Sequence, residues 1–359
     1  MQMSIVPAAN MLRTTVSDDS CADSAAKPNC ERPFAVSWQR ELAAAIRNPA
    51  VLRQRLGLPI NAEFASKTNA FPLLVPDSFL QRMMRGDESD PLLLQVLPSA
   101  EEAVLRSGFV SDPVGDENAR KAPGILQKYR GRALLIAAGA CAVHCRYCFR
   151  REFPYGNEPR RIEDWQPAID CLTADTSISE VILSGGDPLM LTDTRLRELC
   201  QKLDAIPHIE RIRFHTRLPI VLPSRVTDEF LQLLANFRSQ AVMVVHANHG
   251  NEIVGDCEAA LRQIVKTGIP VMNQAVLLRR INDNVEALEL LCRRLINIGV
   301  MPYYLHQLDR VNGTAHFEVN TQLGLELVKQ LATRLPGYAI PKFVQEIAGE
   351  PGKTTIGFL

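Results

Sequence analysis

A partial (β/α)6-type barrel, fronted by a mainly helical N-terminal layer, is the fold class the sequence predicts. From Ala133 onward, short apolar or β-branched runs alternate with amphipathic stretches. Strand–helix alternation of this kind means a parallel sheet with helices outside, joined by right-handed connections. The residues that follow each run are polar and chemically capable, whereas the runs are apolar. In barrels of parallel strands the C-terminal strand ends carry the active site. Upstream of Ala133 this alternation is missing.

Taken in order, residues 1–33 are polar and mixed, with Ser17-Asp-Asp-Ser20 and Lys27-Pro28, and are expected to form a poorly ordered arm. Residues 34–125 are expected to be mainly helical. Helical periodicity runs from Trp38 to Leu58 through Leu42, Ala45, Ile46, Val51, Leu52 and Leu56, and Pro59 closes it. Apolar stretches follow at Phe71–Met84 and Asp90–Pro98. Residues 126–359 carry the barrel. Its predicted strands are Ala133–Gly139, Glu180–Ser184, Ile209–His215, Ala241–Ala247, Pro270–Val276 and Met301–His306, with a last strand at Tyr338–Val344. The predicted helices are Trp165–Ala174, Leu196–Ile206, Asp228–Phe237, Cys257–Thr267, Val285–Ile298 and one near Gly324–Leu335.

Composition narrows the function classes. The 359 residues carry formal net charge zero, 46% hydrophobic and 22% charged residues, as in ordinary globular proteins. Charge balance argues against nucleic-acid or membrane-surface binding. No run approaches the roughly 20 apolar residues of a membrane span. No secretory signal is evident at the start, and nine scattered cysteines fit a reducing cytoplasm and not a disulfide framework.

The densest chemistry is Cys141-Ala-Val-His-Cys145-Arg-Tyr-Cys148-Phe-Arg150-Arg151, directly after the first predicted strand. Three thiolates at C-x3-C-x2-C spacing can hold three corners of a cubane iron–sulfur cluster and leave one iron open. Zinc is the lesser reading, because zinc sites usually pair cysteines twice; His144 would then be a further ligand. The other candidates are weak singly. Ser184-Gly185-Gly186-Asp187-Pro188 permits close approach to a ligand, but taken alone it reads first as an ordinary strand–helix turn. Lys353 sits on a glycine-containing loop where a desolvated lysine can form a Schiff base, but taken alone it reads first as a solvated surface lysine. Asp309 and Glu346 lie near strand ends. The remaining rim residues are His215, Thr216, Arg217, His246, Asn248, His249, Asn273, Gln274, His306 and Gln307. Arg130 and Arg132 are candidate phosphate binders.

Together these residues resemble a known family. The cysteine loop looks like that of radical S-adenosylmethionine (SAM) enzymes. Cys145–Arg151, Leu183-Ser-Gly-Gly-Asp-Pro-Leu189, Asn273-Gln-Ala-Val-Leu-Leu278, Pro302-Tyr-Tyr-Leu305, Pro351-Gly-Lys353 and Asp90–Pro98 make the chain similar to lysine 2,3-aminomutases, from about Trp38 to Lys353. The resemblance implies a radical SAM barrel. Cys141, Cys145 and Cys148 would hold a [4Fe–4S] cluster whose open iron chelates SAM, with Ser184, Gly185, Gly186 and Asp187 at SAM's methionyl part. Lys353 would bind pyridoxal 5′-phosphate (PLP), with Lys128, Tyr129, Arg132 and Gln274 around that cofactor. Arg150 would pair with the α-carboxylate of L-lysine, and Asp309 and Glu346 with its distal ammonium. An anionic substrate would be repelled by two such acids. The implied reaction starts when a 5′-deoxyadenosyl radical takes hydrogen from Cβ, and the amino group then migrates from Cα to Cβ. A flavodoxin- or ferredoxin-type protein would supply the electron.

The sequence also departs from the family pattern. Lys128 stands where arginine is usual, His306 where tyrosine is expected, and Glu346 replaces an aspartate. Glu350 and Pro351 interrupt the glycine run before Lys353. The chain ends at Leu359 without the cysteine-containing extension of longer members, and Asn284 stands where those carry a zinc ligand, so no structural zinc is expected. These departures fit the short branch that makes (R)-β-lysine, which a ligase attaches to elongation factor P. Two alternatives stay open: a 2,3-aminomutase of another amino acid such as arginine, or a non-catalytic iron–sulfur electron carrier or sensor.

Overall fold

In the computed structural model, residues 37–60 and 71–357 are described. The expected arm at 1–33 lies outside them. The described residues belong to one compact unit.

Among the described residues the N-terminal layer contains four short helices: α1 (Trp38–Ala43), α2 (Pro49–Arg55), α3 (Asp77–Leu80) and α4 (Pro91–Leu94). The single helical run expected over Trp38–Leu58 is broken in two. Pro49 is the cause: it disfavours helical backbone at Asn48, so a new helix starts there, with the Asn48 side chain accepting from Ala50 N at 2.8 Å. The intervening Ile46 forms an antiparallel bridge with Val75. Asp90 caps α4 by accepting from the backbone N–H groups of Leu92 and Leu93 at 2.9 and 2.8 Å.

The sheet has ten strands in sequence order. They are β1 (Arg120–Ala122), β2 (Ile125–Tyr129), β3 (Arg132–Ala138), β4 (Glu180–Gly185), β5 (Arg211–Thr216), β6 (Gln240–His246), β7 (Val271–Val276), β8 (Met301–His306), β9 (Lys342–Gln345) and β10 (Thr354–Thr355). Strands β3 to β9 run parallel, as the strand–helix alternation predicts. β1 and β2 precede them as antiparallel hairpins, and β10 returns antiparallel on β9. Those three additions are not evident in the sequence, being short and largely polar. The last predicted strand is shortened, because Gly337–Ala339 forms a 3-10 turn before β9.

The covering helices are α5 (Gln166–Ala174), α6 (Asp193–Asp204), α7 (Leu218–Val221), α8 (Asp228–Ala235), α9 (Asp256–Lys266), α10 (Val285–Ile296) and α11 (Thr321–Arg334). Each long helix buries one stripe at helical spacing, for example Leu196, Leu199, Cys200 and Leu203 on α6. Cys200, Cys257 and Cys292 all lie on such stripes, where burial holds their thiols protonated. They are packing residues. Asn284 caps α10 by accepting from Ala287 N at 2.9 Å. Among the described residues no helix is long and apolar enough to cross a membrane.

Arg82, just beyond α3, ties the N-terminal layer to the barrel. Its guanidinium donates to the carbonyls of Glu252 and Ile220, both at 2.6 Å, from a side chain only 6% exposed. Arg82→Met leaves both carbonyls without that donor and is expected to lower stability by about 2–4 kcal/mol in urea unfolding with an unchanged m-value. A loss below about 0.5 kcal/mol would mean that apolar contacts alone dock this layer.

Candidate active site

The cysteine loop begins where β3 ends. Burial pushes the Cys148 thiol up to about 11, with Cys145 adding to it; Cys141 is also raised, by burial first and then by Cys148, Asp187 and Cys145. The Cys141 and Cys148 thiols therefore stay protonated near neutrality, and need metal to displace their protons. Among the described residues no three His, Cys, Asp or Glu side chains converge on one ion position. A zinc site needs its ligands around one ion, whereas a cubane takes its thiolates on separate irons. The loop fits the cluster. His144 does not join it: Nδ1 donates to the Pro72 carbonyl at 3.0 Å, and the ring packs on Phe71.

The two arginines behind Cys148 part company. Arg151 turns away from the barrel and shares Glu102 with the fully buried Arg146, donating to Glu102 Oε2 at 2.7 Å. It anchors the loop and does not face a substrate. Arg150 turns inward. Its Nε donates to Asp116 Oδ2 at 2.7 Å, and Nη1 has only a long contact, 3.4 Å, to Ser184 Oγ. The outer edge of the guanidinium is left for a ligand. Asp116 was not legible in the sequence, where Gly115-Asp116 signals nothing beyond a turn.

From Asp116 a chain of alternating charge crosses the lumen. Lys128 forms an ion pair with Asp116 Oδ1 at 2.6 Å, and also donates to Glu346 Oε1 at 3.0 Å and the Val114 carbonyl at 2.8 Å. Glu346 Oε2 accepts from Lys353 at 2.5 Å. Lys353, directly before β10, is thus drawn off the surface by Glu346, directly after β9. Lys128 is thus held among three protein oxygens, two by hydrogen bond and one by ion pairing. Arg132 differs: its guanidinium lies 4.6 Å over the Tyr129 ring and has no ion pair or hydrogen bond among the described residues. The β2–β3 turn at Gly131 puts Tyr129 directly opposite Arg132. Gln274 has a free side-chain amide by the same measure, whereas its neighbour Asn273 bridges to the Ala247 backbone.

The Gly185-Gly186-Asp187 turn serves the protein itself. A Cβ on Gly186 would lie 2.4 Å from the Ala140 carbonyl oxygen, and one on Gly185 2.6 Å from that of Ala138. The glycines thus let β4 close on the start of the cysteine loop, where Gly186 N and Asp187 N donate to those carbonyls. Asp187 accepts from Thr216 Oγ1, Leu189 N, Arg217 N and Leu218 N, which fills its acceptor sites. The carboxylate thereby braces the turn that is expected to lie at SAM's methionyl part. Burial still raises its pKa to about 6. Tyr155, also missed in the sequence, donates to the Gly185 carbonyl at 2.6 Å. Ser184 keeps hydrogen-bonding capacity toward the lumen.

Three histidines at strand ends, His215, His246 and His306, each bury an Nε2 with no hydrogen-bond partner. Burial first, and then nearby cations, hold all three neutral, His246 down at about 3. Orphaned ring nitrogens in a polar lumen call for ligand partners. Asp309 shares this end. Burial, then the charge of Glu346, push it up to about 7. Burial would also raise Glu346, but Lys353 and Lys128 outweigh it and hold Glu346 at about 2.

This constellation of a three-cysteine loop and strand-end rim is that of a radical SAM enzyme, and residues 135–310 match the Radical SAM superfamily. L-lysine 2,3-aminomutase of Haemophilus influenzae is 44% identical over 320 residues, covering 89% of this chain and 95% of that protein. The Escherichia coli L-lysine 2,3-aminomutase is 42% identical over 90% of this chain and 95% of its own length. That of Clostridium subterminale is 31% identical over 89% of this chain and 77% of its own. The chain belongs to the L-lysine 2,3-aminomutase family. A [4Fe–4S] cluster, SAM and PLP are the cofactors that go with membership, and the thiol loop, the Lys353 amine and the unpaired Arg132, Gln274 and histidine nitrogens suit them.

The Asp309 pKa has a measurable consequence. A carboxyl raised from its unfolded value of about 3.9 to about 7 stabilises the fold fully below pH 4, and that contribution is lost as pH climbs through 7. Asp309→Asn is therefore expected to be less stable relative to the parent at about pH 4 than at about pH 8, in urea unfolding at both. A pH-independent difference would refute the raised pKa.

Proposed function

We propose that this chain is a lysine 2,3-aminomutase that converts L-lysine, (S)-α-lysine, to (R)-β-lysine in the cytoplasm. The observation that carries this reading is the polarity of the lumen. Arg150 offers a free guanidinium edge beside the cysteine loop, and Asp309 and Glu346 present acids beside Lys353. A substrate with a carboxylate at one end and a distal ammonium at the other matches both.

In this reading Cys141, Cys145 and Cys148 hold the cluster, Ser184 with the backbone of Gly185 and Gly186 faces SAM, and Lys353 supplies the amine that holds PLP. Arg132, Tyr129 and Gln274 line the PLP site. Bound there, the cluster and SAM supply a carbon radical that abstracts hydrogen, and PLP carries the migrating amino group. The protein's part is placement. Arg150, immobilised through Nε by Asp116, meets the α-carboxylate with its outer Nη edge, the planar geometry that suits arginine. Glu346 is ionised across the physiological range and takes the distal ammonium. Asp309 titrates near 7 and gains its full charge only when a cation arrives beside it. Anchoring at both ends restricts Cβ to one position, which favours a single hydrogen transfer over side reactions.

The finer assignment is that β-lysine made here feeds a ligase acting on elongation factor P, with a flavodoxin- or ferredoxin-type reductant. It is supported by the higher identity to the Haemophilus and Escherichia relatives, 44% and 42%, than to the clostridial one, 31%.

Anaerobic reconstitution with iron, sulfide, PLP, SAM and reductant, followed by L-lysine, is expected to yield β-lysine. Consumption of L-arginine in preference to lysine, or a redox-active cluster without SAM cleavage, would overturn the reading. In Lys353→Ala, borohydride should no longer fix PLP to the chain while iron content stays unchanged; PLP trapped on another lysine would move the assignment. Glu346→Gln is expected to raise KM for lysine about tenfold or more, with SAM cleavage much less affected. Equal losses of both would make Glu346 structural.

A further inference from the structure

Arg217 follows β5 and belongs to none of the roles above. Its backbone N–H donates to Asp187 Oδ2 at 2.7 Å, so the Gly-Gly-Asp-Pro turn fixes where the side chain starts. The guanidinium is buried and aimed at the back of the cysteine loop. Nη1 donates to Cys145 Sγ and to Tyr147 Oη, both at 2.6 Å. Nη2 donates to Gln95 Oε1 at 2.6 Å and to Glu252 Oε2 at 3.1 Å. All four Nη hydrogens thus have partners, drawn from three separate parts of the chain: the cysteine loop, the residue after α4 and the turn after β6. The fork cannot swing away from the sulfur. Phe79 and Tyr147 add their ring faces, at 5.6 Å each.

Glu252 is the only carboxylate that the guanidinium touches among the described residues. It is wholly buried and held as an anion by the N–H groups of Asn248 and His249, at 2.8 and 3.0 Å, and by Gln95 Nε2 at 3.1 Å. A buried ion pair of this kind adds little to stability over an apolar pair of the same volume. What an apolar pair cannot do is point a fixed cation and an N–H donor at one thiol of the loop. Hydrogen bonds to the sulfurs and net charge are among the factors that set the reduction potential of an iron–sulfur cluster. One-electron reduction adds negative charge to the cluster and its thiolates, so a cation held against one sulfur favours the reduced form.

We propose that Arg217 is a positioning residue that tunes the reduction potential of the cluster through the Cys145 sulfur, with Glu252 behind it as the counterweight. The proposal rests on Cys145 being a cluster ligand. Removing the donor lowers the midpoint, and removing the counterweight raises it. Opposite signs from two neighbours in one network separate this role from a structural one, because general loosening of the loop would move both variants the same way.

The test is a reductive titration of the reconstituted cluster, followed by electron paramagnetic resonance, on the full chain and on Arg217→Gln and Glu252→Gln. Iron and sulfide content is measured first. Arg217→Gln is expected to fall by about tenfold in the one-electron equilibrium constant, about 59 mV, and Glu252→Gln to shift the other way. If Arg217→Gln fails to retain iron, Arg217→Lys decides: it keeps the charge and loses the planar fork, and a smaller downward shift is expected. Intact clusters with unchanged midpoints, or with shifts of one sign in both variants, overturn the proposal while leaving the three-cysteine site standing. A parent chain that binds no cluster fails the site assignment itself.

Discussion

Asp116 holds Arg150 with one oxygen and Lys128 with the other, and the rest of the site depends on that carboxylate. Through Arg150 it reaches the cysteine loop, and through Lys128 it reaches Glu346 and then Lys353. The chain of charges alternates in sign at every step. It joins the turn before β1, the end of β2, the loop after β3, the end of β9 and the start of β10. Buried charges of this kind are tolerable only when each has its partner, and removing one exposes its neighbours to the full desolvation penalty. The chain therefore behaves as one unit that sets the distance between the cysteine loop and Lys353.

A second buried carboxylate does the corresponding work for the loop itself. Asp187 accepts four hydrogen bonds from the β4 and β5 turns, and the two glycines before it bring β4 against the loop's first residues. Arg217 starts from that brace and ends on Cys145. Backbone packing, the β5 turn and one thiol are therefore positioned by the same few residues. Loop placement is consequently a property of the barrel and not of the loop's own short sequence.

Much of this was legible beforehand. The parallel strands were visible because they are buried on both faces and read as apolar runs, and the helices because each carries one apolar stripe. The three cysteines stood out by residue type and spacing, whereas Lys353, Asp309 and Glu346 gained roles only through the family resemblance. Other features were hidden for physical reasons. The β1–β2 hairpin is short and polar, so it lacks the strand signal. Pro49 interrupts a run whose periodicity is otherwise unbroken. Asp116, Tyr155, Gln95 and Glu252 act through partners distant in the chain, and nothing local marks them.

What the sequence determined alone is the order of elements and the kinds of chemistry at their ends, since both follow from local periodicity and residue type. What the tertiary structure decided is which groups are free and which are already engaged. Arg150 and Arg151 are adjacent and identical, yet one faces the lumen and the other Glu102. Lys128 and Arg132 sit on one hairpin, yet Lys128 is enclosed by oxygens and Arg132 is not. The reason is that availability is a matter of burial and of partners brought together from far apart in the chain, and only the folded barrel brings them together.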